Sequence, residues 1–180
     1  MRRGLRWAIP AGALALAGAL AAGAELRREP VPLWKEVAWP FPEDPWGKGK
    51  AFECSARDCG AKVALYVRPK VGLCGCMATI EDDDLQRLSD LDLLPGEWTA
   101  ASAGEPAQVR SLKGRSRGYL RRGAAPAGAA VAMAFHDRCD LVVATAAIDG
   151  AGHPERLTRA ATDWLAADPV FRWIELKIGL

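Results

Sequence analysis

Cys54, Cys59, Cys74, Cys76 and Cys139 are the five cysteines of the chain, and the first four crowd around one short stretch. Sulfur at that density forms disulfides in an oxidising compartment, ligates a soft metal as thiolate, or cycles between dithiol and disulfide. Cys74-Gly75-Cys76 is the sharpest feature, because residues two apart on an extended strand project to the same face and both sulfurs can grip one metal ion or one partner thiol. Four thiolates at Cys54, Cys59, Cys74 and Cys76 suit zinc or copper(I). Their Cys-x4-Cys and Cys-x-Cys spacings, however, are not the paired Cys-x2-Cys knuckles of a structural zinc site. A redox pair at Cys74 and Cys76 lacks the strand-to-helix setting of a thioredoxin-type motif. Structural bridges drawn from the five cysteines are the expected use, with no cofactor; zinc or copper handling, or thiol redox chemistry, is the alternative. An odd cysteine is left over for a free thiol or an intermolecular bond. The connectivity expected links the first pair to the second, since neighbouring strands at 50–54, 63–67 and 71–76 bring Cys59 to the sheet end that holds Cys76.

Other chemistry-bearing residues read as scaffold. His136 and Cys139 stand three apart beside Asp137 and Asp140, but a short hairpin loop offers a nucleophile and base little preorganisation. His153 precedes Pro154 at the start of a helical stripe. No serine elbow accompanies the two histidines, so hydrolase signatures are missing and no catalytic residue is assigned. Glu81, Asp82, Asp83 and Asp84 run contiguously, unlike the alternating acids of a calcium loop, and read as the first turn of a short helix capped by Thr79. Gly47-Lys48-Gly49-Lys50 lacks the spacing and following Ser/Thr of a phosphate loop.

The elements that position these residues begin with an export segment. Arg2, Arg3 and Arg6 precede an uncharged run from Trp7 to Ala24 that ends in small residues, the pattern of a signal peptide over 1–24 cleaved before Glu25. The alternative is an uncleaved signal anchor that holds the domain outside the inner membrane, the only membrane contact expected. Either way the chain is extracytoplasmic, most simply periplasmic. Loss of 1–24 removes three arginines and no acid, which turns the formal +2 of the whole chain into −1. That balance disfavours nucleic acid as a partner. The basic stretch from Arg110 to Arg122 alternates with Ser, Leu and Tyr and reads as the solvent side of one or two strands.

Residues 25–49 carry Pro30, Pro32, Pro40, Pro42 and Pro45 among Trp34, Trp39, Phe41 and Trp46. They read as a Pro/Trp-rich extended tether, part of which straps across the domain with its indoles in shallow pockets. A single disulfide-stabilised domain follows over 50–180. Val63, Leu65 and Val67 alternate as a half-buried strand that turns at Arg68-Pro69-Lys70. Ala129–Phe135 and Leu141–Ile148 form a hairpin whose second strand lies near the sheet centre. Leu157, Ala161, Trp164 and Leu165 make a buried helical stripe, and Ile174, Leu176 and Ile178 alternate as a closing strand. The fold class expected is α+β: an antiparallel sheet of hairpins with two helices packed on one face.

Trp39-Pro40-Phe41-Pro42, Asp44, Trp46-Gly47-Lys48-Gly49-Lys50-Ala51-Phe52, Cys54, Asp58-Cys59-Gly60, the Cys74/Cys76 pair and Asp137-Arg138-Cys139-Asp140 together resemble an uncharacterised family of exported proteobacterial proteins. The likeness spans nearly the whole mature chain. It implies an envelope location and a cysteine pattern, and transfers no activity. The hairpin order ending in a helix is also similar to the PsbP/Mog1 type of sheet-and-helix layer. Residues and resemblance together point to an exported envelope binding or accessory module whose partner is an envelope protein or a small ligand.

Overall fold

The two runs that flank Asp137-Arg138-Cys139-Asp140, apolar but for Thr145, become the middle of an eight-stranded antiparallel sheet. The computed structural model describes residues 33–72, 79–123, 127–150 and 152–180. Among these the strands are β1 Trp34–Val37, β2 Lys50–Cys54, β3 Val63–Lys70, β4 Glu97–Ala100, β5 Glu105–Val109, β6 Leu112–Arg122, β7 Gly128–Asp137 and β8 Asp140–Asp149. The helices are α1 Ala56–Cys59, α2 Asp82–Leu88, α3 Pro154–Leu165 and α4 Asp168–Ile178, with a 3₁₀ turn at Leu91–Leu93. The fold is therefore mixed α+β and mostly sheet. Spatial order is β1-β2-β3-β8-β7-β6-β4, with β5 also paired to β6, so β8 occupies the centre as its largely apolar run implies.

Every residue of β7 from Gly128 to Phe135 is buried, which means both faces of the sheet are covered. On one face Val131, Met133 and Phe135 join Leu65, Val67 and Val142 against Leu157, Ala161 and Leu165 of α3 and Phe171, Ile174 and Ile178 of α4. The other face carries Ala130, Ala132 and Ala134. Small side chains there let α2 approach closely, and its Leu85 and Leu88 pack on Ala134, Leu141 and Val143. The 3₁₀ turn sets Leu91 and Leu94 on Tyr119, Ala130 and Ala132. Helices on one face only were expected; the second apolar face of β7 and β8 cannot be left wet, and α2 with the 3₁₀ turn covers it.

Several local expectations change for identifiable reasons. Ile174, Leu176 and Ile178 lie on a helix, α4, because Val170, Phe171, Ile174 and Ile178 form the buried stripe while Leu176 is 84% exposed. Three alternating residues are too short a run to separate a period of 2 from one of 3.6. The domain begins before Lys50: Trp34–Val37 pairs antiparallel with β2 as the edge strand, and residues 32–180 form one compact unit. Its prolines flank the strand instead of interrupting it. Arg68-Pro69-Lys70 extends β3, where a turn was expected. β2 ends its pairing opposite Val67, so beyond that point β3 has a neighbour on the β8 side only, and the missing N–H of Pro69 breaks no ladder there. The cap of α2 is Glu81, in a reciprocal box with Asp84, and not Thr79.

The basic stretch is spent on ion pairs more than on solvent. Arg115 Nε donates to Asp82 Oδ1 at 2.6 Å, and Arg117 Nε, 3.8 Å from Asp82 Oδ2, donates to Ser102 O at 2.8 Å. Arg121 pairs with Asp149 at 3.1 Å. Arg110 bends the β5–β6 turn with φ of 50°, donates to Ala166 O at 2.7 Å, pairs with Asp168 and lies 4.7 Å from the Phe171 ring centroid. It clasps the sheet to the α3–α4 junction. The backbone N–H of Gly104 and the Arg115 guanidinium hold the Asp82 carboxyl below its ordinary range. That clasp is complete at neutral pH and is lost as pH falls through the lowered value.

Leu157, Ala161 and Leu165 are buried as expected, whereas Trp164 is half-buried at the edge of that stripe, stacked on Trp34 at 6.2 Å and edge-on to Phe52 at 5.6 Å. Trp164→Ala is expected to cost about 2–3 kcal/mol in urea unfolding, below the loss for a fully buried indole, and to detach the β1 edge first. A loss under about 0.5 kcal/mol would show that the Trp34 contact holds nothing in place.

Candidate functional site

β3 runs past the end of β2, so Arg68 and Lys70, alternate residues on the face shared with α2, reach beyond the covered sheet into the segment that follows that helix. Both are buried, as is Asp90 opposite them. Arg68 Nη2 pairs with Asp90 and Nη1 with Asp44 Oδ2 at 2.5 Å, while its guanidinium carbon lies 5.4 Å from the Trp39 ring centroid. Lys70 Nζ donates to Leu88 O at 2.7 Å, lies 3.8 Å from Asp90 Oδ1 and sits 4.8 Å from the Trp46 ring centroid. Burial pushes the Lys70 ammonium below the ordinary lysine range, and the Asp90 carboxylate opposes that shift.

Local sequence explains each placement. Asp44 accepts the Trp46 backbone N–H at Oδ1, 2.9 Å, and its carbonyl accepts Gly47 N–H at 2.8 Å, which closes a tight turn in the strap. Gly47 takes φ of 76° there. Trp39, Phe41 and Tyr66 meet edge-on at 4.7–6.2 Å and hold the preceding strap to β3. The strap reading of the sequence is therefore realised by Trp39 and Phe41, with Trp46 left 40% exposed beyond them. Ser89 ends α2 with its N–H donating to Leu85 O at 3.1 Å, and Asp90 follows as the residue before the 3₁₀ turn.

Between the strap and residues 87–93 lies a cleft of about 270 Å³ floored by Arg68 and Lys70. Ser89 and Arg68 line it while only 3% and 2% exposed, and Ser89 Oγ and Arg68 Nε, buried just beneath its surface, have no hydrogen-bond partner among the described residues. Glu43 and Asp92 stand at the mouth, exposed. Arg87 also lines the cleft but is held by Asp84 at 2.6 Å. Rigid donors at the floor, an indole on one wall and acids at the rim are the parts of a recognition site. A second groove of about 230 Å³, between Trp34, Phe52 and Trp164, is bounded by the Lys50–Glu36 pair at 2.7 Å. Its rings pack mainly on one another.

The cysteines divide differently from expectation. Cys54 and Cys59 bond to each other across α1, with α-carbons 6.0 Å apart, so neither can link to the second pair. The reason is the short helix: one turn after β2 returns Cys59 to the strand end it has just left, and Gly60 in the left-handed region closes it. Cys139, exposed at the β7–β8 turn, is disulfide-bonded as well. Cys74 and Cys76 lie outside the described residues. The four-thiolate zinc or copper set at Cys54, Cys59, Cys74 and Cys76 loses two of its sulfurs to the Cys54–Cys59 bridge. Among the described residues no three His, Cys, Asp or Glu side chains converge as metal ligands. His136 is half-buried near the end of β7, and His153 is the N-cap of α3. Comparison of the chain with protein-family models and with curated proteins returns no match.

The sequence alone assigns Arg68, Lys70, Ser89 and Asp90 to no site. The signal was present, since Arg68 and Lys70 continue the alternation of Ala64 and Tyr66 opposite Val63, Leu65 and Val67. Pro69 disguised it as a turn.

Two measurements follow. In a non-reduced tryptic digest with thiols blocked beforehand, cleavage after Arg57 leaves the Cys54 and Cys59 peptides joined only by their bridge. Both peptides alkylated would show those sulfurs free for metal. Asp90→Asn is expected to lower unfolding free energy by about 3–5 kcal/mol, because it leaves the buried Arg68 and Lys70 charges with Asp44 alone, whereas Arg68→Met with Asp90→Leu, which removes one charge of each sign, restores most of that loss. Equal losses in the single and double variants would mean the pair is not isolated from water.

Proposed function

We propose that the chain is an exported binding module of the bacterial envelope, braced by disulfides, that holds a small ligand in the cleft between the strap and the 3₁₀ turn. The observation that carries the reading is that two residues lining the cleft, Ser89 and Arg68, bury polar atoms, Oγ and Nε, that have no hydrogen-bond partner among the described residues. Burying a hydroxyl and a guanidinium N–H without partners is costly, and a ligand or water that accepts from them removes the cost. Export is supported by the basic, then uncharged, N-terminal run, by the resemblance to exported proteobacterial proteins, and by the Cys54–Cys59 bridge, which belongs to an oxidising compartment. Among the described residues no helix is long and apolar enough to cross a membrane. The antiparallel sheet with its C-terminal helical layer supports kinship with the PsbP/Mog1 type on architecture alone, and lends the cleft no ligand.

Expressed with its own N-terminus, the protein is expected in the periplasmic fraction, beginning at Glu25. Native mass spectrometry is then expected to find a bound small molecule that Lys70→Met loses. Recovery from the cytoplasm, or the same adducts on wild type and variant, would overturn the reading. Intact Met1 on membrane-retained protein would establish the anchored form instead.

A further inference from the structure

We infer that the ligand of this cleft is a small protonated amine that also carries an acceptor oxygen; the inference rests on the binding-module reading and names its chemical class. The charges around the cleft decide the sign. Arg68 is neutralised by Asp90 and Asp44, and Lys70 is held by Leu88 O with Asp90 3.8 Å away. The floor is therefore close to electroneutral and rich in donors. Ser89 Oγ–H and Arg68 Nε–H have no partner among the described residues, and an ammonium has three N–H bonds of which Lys70 uses one at good distance. Such a floor takes a carbonyl or hydroxyl oxygen without asking for a second negative charge.

The mouth has the opposite need. Glu43 and Asp92 line it, exposed and outside every ion pair of the described residues, and Arg87, the exposed cation of the same lining, is turned to Asp84. The Trp46 indole, 40% exposed, stands in the same wall, with the Lys70 ammonium 4.8 Å from its ring centroid and the remaining ring surface open to the mouth. Two free carboxylates beside an aromatic face attract a cation, and the indole prefers a desolvated organic ammonium over a hydrated metal ion. A cleft of about 270 Å³ admits a molecule of the size of an amino-acid amide, a peptide amino terminus or an amino sugar, each of which sets an ammonium within a few bonds of an acceptor oxygen.

The test uses the mature full chain and three probe sets in titration calorimetry: amides of the α-amino acids, their N-acetylated amides, and the N-acetylated acids. At least one free-amine amide is expected to bind, with its N-acetylated form weaker by about tenfold or more. Glu43→Gln with Asp92→Asn is expected to cost a similar factor and to flatten the salt dependence, while Ser89→Ala weakens the same amide without altering that dependence. Trp46→Phe, which retains an aromatic face, is expected to keep part of the affinity that Trp46→Ala loses. N-acetylated acids binding better than amine-bearing amides would overturn the inference and leave a binding module for anions. Equal binding of amine and N-acetyl forms would overturn it in favour of a neutral ligand. If no probe binds but a molecule of another class is found to be lost with Lys70→Met, the amine assignment alone fails; if no molecule of any class occupies the cleft, both readings fail.

Discussion

A guanidinium buried on the surface of a sheet must find carboxylates, and Arg68 finds them on two segments that are remote from each other and from β3. Asp44 belongs to the strap and Asp90 to the junction of α2 with the 3₁₀ turn. One side chain thereby fixes where both walls of the cleft stand. The arrangement is possible only because β2 stops opposite Val67 and leaves the last turns of β3 open on one side. Charge desolvation makes it brittle, since a buried pair stabilises little when intact and costs much when one partner is lost. It is a device for placing segments more than for adding stability.

The short helix α2 depends on the same logic at both ends. Seven residues cannot hold a helix alone in water. Its Asp82 is clasped by Arg115 and by the N–H of Gly104, and its far end by Lys70 through Leu88 O and by Arg68 through Asp90. Between these clamps Leu85 and Leu88 rest on the small and branched side chains of β7 and β8. One wall of the cleft is therefore rigid. The other is a proline-rich strap secured by Trp39 and Phe41 on Tyr66 and by Asp44 on Arg68, so loosening Arg68 frees the strap and the helix end together.

The central hairpin, α3 and the strap were legible because each has a local cause. β7 and β8 are largely apolar runs of strand length, α3 carries its own proline start and a single stripe, and the strap has too many prolines for a helix. The segments where structure departs from pattern have equally local features. Ile174, Leu176 and Ile178 alternate, but only the partners Val170 and Phe171 and the surface they bury make the segment helical. Pro69 signals a turn to any window that cannot see that its strand has lost a neighbour. The arginines of β6 look solvated until Asp82, Asp149 and Asp168 arrive from other elements.

By itself the sequence determined the basic, then uncharged, N-terminal run, the crowding of sulfur, the class of fold and the identity of the centre of the sheet, because these depend on composition and on the spacing of neighbours along the chain. The pairing of Cys54 with Cys59, the covering of both faces and the cleft itself were decided by tertiary structure. Arg68, Lys70, Asp44, Ser89 and Asp90 come from three segments, and none is unusual where it stands. Their meaning is burial, and burial is a property of what the rest of the chain packs against them: a lysine or serine in the sequence carries no mark of whether water will be there to solvate it.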